Sequence, residues 1–225
     1  DPYPGVERIN FSDVPIRSFD GFPGMPDLEK LHIDGATMRT CTALPPLPNL
    51  QEFQLEGAPL VNYAGFGHLF GTAHIIMDNT HIISPHGFPF TVPRYRSFLH
   101  NLAVGVHVYG ETVPDTYWPH LPLFPPDYDM IDERDRSSRY KAHIAQLSEA
   151  RLRQVYADFA PTPMSLLHRY LAEGTLSDFE QDRIVYESNP TLFPYLVRHL
   201  SASDPLLTQF ASIHDLPLKV ADIYL

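Results

Sequence analysis

Cysteine is almost absent: Cys41 is the only one in 225 residues. No internal disulfide can form, and the lone thiol falls in a column with Phe19 and Tyr63, where it reads as a buried structural group rather than a nucleophile. A chain without disulfides fits a reducing compartment, and a cytoplasmic location is the expectation. Because it begins at Asp1 without Met, the chain reads as trimmed or processed, which leaves a removed signal open. Cationic residues are also scarce, with 16 Lys and Arg against 27 Asp and Glu and a formal net charge of −11. This deficit argues against a partner that is nucleic acid, whose phosphates draw on Lys and Arg, and against docking on an anionic membrane. No apolar run reaches the roughly 18 residues of a membrane-spanning helix. Signatures of chemistry are missing as well. There is no H-E-x-x-H or C-x-x-C, no G-x-S-x-G, and no phosphate or dinucleotide glycine loop. No metal, no cofactor and no catalytic residue is expected, and the balance leans away from an enzyme.

What the chain does have is a period of 22 residues. Val6-Glu7-Arg8-Ile9-Asn10-Phe11 aligns with Leu28-Glu29-Lys30-Leu31-His32-Ile33, then with Leu50-Gln51-Glu52-Phe53-Gln54-Leu55, then with Thr72-Ala73-His74-Ile75-Ile76-Met77. The register persists through Val14, Ala36, Ala58 and Thr80, through Ile16, Met38, Leu60 and Ile82, and through Phe22, Leu44, Phe66 and Phe88. Each unit opens with L-x-x-L-x-L spacing, whose alternation describes a strand with one buried face. One unit cannot bury that face alone, so the units stack and share a core. Prolines such as Pro45, Pro46 and Pro48 forbid a regular helix on the return path, which predicts extended or 3₁₀ turns.

On these residues the first half of the chain resembles the leucine-rich repeat family. The resemblance implies an α/β solenoid with short parallel strands on a concave face, used to bind other proteins. It departs from the family where Val14, Ala36, Ala58 and Thr80 stand in place of a frequent Asn. Leu99-His100-Asn101-Leu102-Ala103-Val104 reads as a fifth unit, reached through a loop about five residues longer than the others. That loop, with Pro85, Pro89 and Pro93, is either a contact loop or a tolerated insertion. The organisation expected is a solenoid over 1–109, a proline-rich and charged junction over 110–137, and a helical cap or domain over 138–225.

Helical spacing begins near Ser138 and predicts one helix to about Asp158. Thr162-Pro163 opens a second that Gly174 stops. Ser177-Asp178-Phe179-Glu180 is a capping box, and Asn189-Pro190 and Asp204-Pro205 open further helices, with a short last one over Leu216–Tyr224. A helical tail after Leu-Pro-rich repeats loosely resembles bacterial effectors that carry a cysteine-dependent ubiquitin ligase, but this tail has no cysteine.

The solvent-facing strand positions form three columns: Arg8, Lys30, Glu52 and His74; Asn10, His32, Gln54 and Ile76; and Ser12, Asp34, Glu56 and Asp78. At a strand spacing of about 4.8 Å the acids of the third column are near neighbours, and a cationic partner would relieve them. Two readings stay open, a surface for a basic protein or peptide and an ordinary solvated face. A zinc site from His32, His74 and Asp78 lacks any closed ligand spacing. The binding residues expected are Arg8, Asn10, Lys30, His32, Asp34, Glu52, Gln54, Glu56, His74 and Asp78. The alternatives are a structural component of a larger assembly, or an enzyme with its site at the junction, built from Trp118, His120, Asp127, Asp129 and Arg134.

Overall fold

A computed structural model describes residues 3–109 and 113–218. Four short strands, β1 (Arg8–Phe11), β2 (Lys30–Asp34), β3 (Glu52–Glu56) and β4 (His74–Asp78), pair in parallel in chain order. The register is the 22-residue period itself: Arg8 opposes Lys30, Lys30 opposes Glu52, and Glu52 opposes His74. Leu31, Ile33, Phe53 and Leu55 in the middle strands are at most 1% exposed. Burying each is worth about 1.5–3 kcal/mol. Between the strands the chain makes turns and bends without a helix, as the prolines require. The result is a solenoid of about three turns.

Two further columns explain how each turn closes. The residues Asp13, Gly35, Gly57 and Asn79 all have positive φ, at 58°, 75°, 66° and 56°. Only Gly, and less readily Asn or Asp, enters the left-handed region cheaply. Those are the residue types found there. Further round, Ser18, Asn62 and Ser84 accept hydrogen bonds from the backbone N–H two residues on, at 3.0–3.2 Å. A short polar side chain that bends the backbone onto itself is a turn device repeated with the period.

The expected fifth strand does not form. Leu99–Val104 lies inside α1 (Val92–Tyr109). Tyr95, Phe98, Leu99, Leu102 and Ala103 are all buried, and their three-and-four spacing is a helical stripe. Pro93 stands in the first turn, where its missing N–H costs nothing. Among the described residues six helices follow: α2 (Arg136–Gln146), α3 (Glu149–Asp158), α4 (Pro163–Glu173), α5 (Asp178–Glu187), α6 (Phe193–His199) and α7 (Pro205–Ile213). The single helix expected over 138–158 is two, because Ser148 caps a new start by accepting from Arg151 N–H. Thr162, Ser177 and Asp204 cap α4, α5 and α7, and Gly174 ends α4 with left-handed φ. Asn189 does not cap; Pro190–Leu192 is a 3₁₀ turn leading into α6. The expected helix over Leu216–Tyr224 falls largely outside the described residues.

Three apolar clusters result. The first fills the repeats. The second starts inside them, at Val61 and Ile83, and continues through α1, Tyr117, Tyr140 and Phe159 to Phe179. The third lies among α4–α7. The long loop before α1 is not a free contact loop. Pro85 is buried, Phe90 packs on Tyr156 with ring centroids 5.1 Å apart, and His86 Nδ1 donates to Phe159 O at 2.8 Å.

Candidate functional site

The outer face of the sheet carries the columns expected of it, but they differ in state. In the first, Lys30 Nζ reaches Glu52 Oε2 at 2.8 Å, so these two charges answer each other. The Lys30 hydrogen bond and charge, helped by His74 and Arg8, hold the Glu52 carboxyl below the ordinary carboxylate range. In the second, Asn10, His32, Gln54 and Ile76 are in register, and His32 Nε2 is buried without a partner among the described residues. In the third, Asp34 opposes Glu56 and Glu56 opposes Asp78. No cation comes within ion-pairing distance of these three among the described residues. Ser12 follows β1 outside the ladder and bonds Asn10 Oδ1 at 3.1 Å. Among the described residues no group of three His, Cys, Asp or Glu is placed to hold a metal ion.

The residues named for a junction site do not converge. The Trp118 ring lies 5.8 Å from Phe124. His120 Nδ1 meets Asp158 Oδ2 at 3.0 Å, and its ring stacks on Phe179 at 3.8 Å. Asp127, Asp129 and Arg134 are exposed on turns. Their types suggested chemistry, but the fold assigns two of them to packing and leaves three in solvent.

The buried polar centre of the junction lies elsewhere. Arg183 Nε and Nη2 donate to Glu187 Oε1 and Oε2 at 2.8 and 3.1 Å, with both residues at most 1% exposed. Tyr117 Oη donates to Oε1 at 2.9 Å and Asn62 Nδ2 to Oε2 at 3.2 Å. Burial alone would raise the Glu187 pKa; the Arg183 charge and these hydrogen bonds outweigh it and hold the carboxyl ionised. Beside this network Asn189 Oδ1 accepts from Arg39 N–H at 2.8 Å and Thr40 N–H at 3.1 Å. The network fastens α5 and the segment after it to the repeats. The sequence carried one signal for it: Thr40 and Asn62 belong to the polar column Ser18, Thr40, Asn62, Ser84, two of whose members find partners in the helical part.

Two cavities adjoin these features. One of about 460 Å³ lies against the network, where the hydroxyls of Thr40 and Thr162 and the His86 imidazole share the lining with Pro163, Met164 and Leu192. Burial, with Arg183 nearby, outweighs the opposing charge of Glu187 and lowers the His86 pKa. The larger, a groove of about 560 Å³, runs between the end of the last repeat and α1, with Ile82, Phe88, Phe98 and Leu102 at its base and Arg94 and Asn101 on its wall. Among the described residues no helix is long and apolar enough to cross a membrane. Compared with protein-family models, with curated proteins and with solved structures, the chain matches none.

Proposed function

We propose that the chain is a non-enzymatic recognition module of leucine-rich-repeat type, whose concave sheet face captures a basic segment of another protein while the helical part caps the solenoid. The observation that carries this reading is the in-register row Asp34, Glu56 and Asp78, left without cations beside a row in which Lys30 and Glu52 satisfy each other. Like charges directly opposite on neighbouring strands are destabilising, and a cationic ligand would relieve that repulsion on binding. His32 and His74, on the same face, would add contacts at the rim of such a ligand. Binding would rest on a few anchors among many neutral contacts. The test is a titration of an arginine- and lysine-rich peptide library against the intact chain and against the Asp34→Asn, Glu56→Gln, Asp78→Asn variant. The reading expects a loss of about tenfold or more, about 1.4 kcal/mol, and a steep dependence on salt. Equal binding by both proteins would sink it.

A further inference from the structure

Among the described residues the solenoid ends on an unpaired edge. In a parallel ladder alternate residues turn their backbone groups to opposite neighbours. His74 N–H donates to Gln51 O and Gly57 N–H to Asp78 O, so His74, Ile76 and Asp78 face β3. The N–H and C=O of Ile75 and Met77 therefore point away from the sheet, and among the described residues no backbone bond reaches them. The segment that would supply a fifth strand is committed to α1, where Leu99, Leu102 and Ala103 are buried. The core-facing side chains Ile75 and Met77 stay only half-buried, where their counterparts in β2 and β3 are at most 1% exposed. Natural sheets guard such edges with Lys, Pro, a bulge or a cover. β4 reads His-Ile-Ile-Met-Asp and has neither of those residues. The 560 Å³ groove opens from Thr80 and Ile82, just past β4 in the chain, with α1 as its far wall.

We infer that this edge takes an extended segment of a partner protein as a fifth parallel strand, of the pattern apolar, β-branched, apolar, basic. Each position follows from β4. Residues opposite Ile75 and Met77 point to the core side, where they cover those two half-buried side chains and reach toward Ile82 at the near end of the groove. The residue opposite Ile76, the one apolar position in its outward column, is best β-branched. The residue opposite Asp78 is Lys or Arg, because Asp78 is exposed and no cation lies within ion-pairing distance of it among the described residues. Amides of the residues opposite Ile76 and Asp78 donate to the carbonyls of Ile75 and Met77. Strand addition of this kind draws affinity from the backbone and specificity from alternate side chains. The site shares only Asp78 with the acidic row, so it stands or falls separately from the reading above.

The probe is a labelled peptide of alternating threonine and isoleucine ending in lysine, titrated into the intact chain by fluorescence anisotropy. Saturable binding is expected. Methylating the amides opposite Ile76 and Asp78 should weaken it by about tenfold or more, since each removes a backbone hydrogen bond, while methylating the intervening amides should change it less than about twofold. The Asn101→Trp change, at an exposed position on the groove wall, should weaken binding by about tenfold, and the Asp34→Asn, Glu56→Gln pair should leave it unchanged. A thermal melt checks that the variants fold, and the methylated peptides leave the protein untouched. Absence of binding, or indifference to which amides are methylated, overturns the inference. So does binding that is lost with Asp34→Asn, Glu56→Gln yet survives Asn101→Trp; that outcome would put the peptide on the sheet face and support the acidic-row reading instead.

Discussion

Polar side chains in the turns of the repeats and those at the joint between repeats and helices are satisfied over different distances along the chain. Ser18, Asn62 and Ser84 each find a backbone N–H two residues away. Glu187 draws on Tyr117 and Asn62, 70 and 125 residues distant, and Asn189 draws on Arg39, 150 residues distant. Short-range bonds form as soon as a turn forms, and each repeat can carry its own. Long-range bonds exist only when α5 is seated against the repeats, and an unseated α5 would leave Arg183 and Glu187 without the surroundings that neutralise their burial. The repeats thus specify their shape locally, while the joint is specified all at once.

That contrast can be broken most severely at the ion pair. Glu187→Ala strands the Arg183 charge in the interior and should cost about 3–5 kcal/mol in chemical denaturation. Replacing both partners, Arg183→Met with Glu187→Leu, should cost clearly less than the single change, because no charge is left buried. Asn189→Ala removes the acceptor for the N–H groups of Arg39 and Thr40 and should cost about 1–3 kcal/mol. A local change should cost less: Gly57→Ala forces a side chain into left-handed backbone at φ 66°, for about 1–2 kcal/mol, while Asn79→Gly, at the equivalent position, should be nearly neutral.

Acid sharpens the same comparison without mutation. His214 Nε2 donates to Val185 O at 2.9 Å on α5, and burial, with Arg39 nearby, pushes its pKa down to about 4. The unfolded chain takes up that proton near pH 6.5, so it binds more protons than the fold between about 6.5 and 4. Stability should therefore fall as pH drops through that window, with His86 acting in the same direction, and fall further below it as the depressed carboxyls of Glu52 and Glu187 take up protons. Partial exposure of His214 moderates the size, and melting temperature against pH should flatten with His214→Gln. The smallest effect belongs to the sheet face, where Lys30→Ala removes a part-exposed pair and should leave the melting temperature nearly unchanged.

The repeat half was legible because one period governs strand, register and core together. Alternation in Leu31-His32-Ile33 and Phe53-Gln54-Leu55 placed both faces of the sheet, and the Cα pairing follows it residue for residue. The error at Leu99–Val104 came from a motif that serves two periods. Its leucines fit a strand unit, but Tyr95 and Phe98 upstream complete a helical stripe, and the longer window decides. Caps at Thr162, Ser177 and Asp204 were readable because they act within a few residues. Asn189-Pro190 does open the helical segment, but the Asn189 side chain bonds Arg39 and Thr40 in another part of the fold, and local spacing carries no trace of those partners. The acidic row was visible as a column. That it stays unpaired while Lys30 and Glu52 join was not, because side-chain reach along and across strands is not a matter of spacing.

Cys41 is 0% exposed, its Sγ 3.8 Å from Met38 Sδ and its pKa raised by burial. A thiol so enclosed is a clock. A thiol-reactive dye reaches it only while the repeats are open, so the labelling rate at fixed dye concentration measures how often the solenoid breathes. With no second cysteine in the chain, each labelling event reports on that one place. Run beside Glu187→Ala, the clock would tell whether loosening the joint also loosens the repeats, or whether the stack keeps its own time.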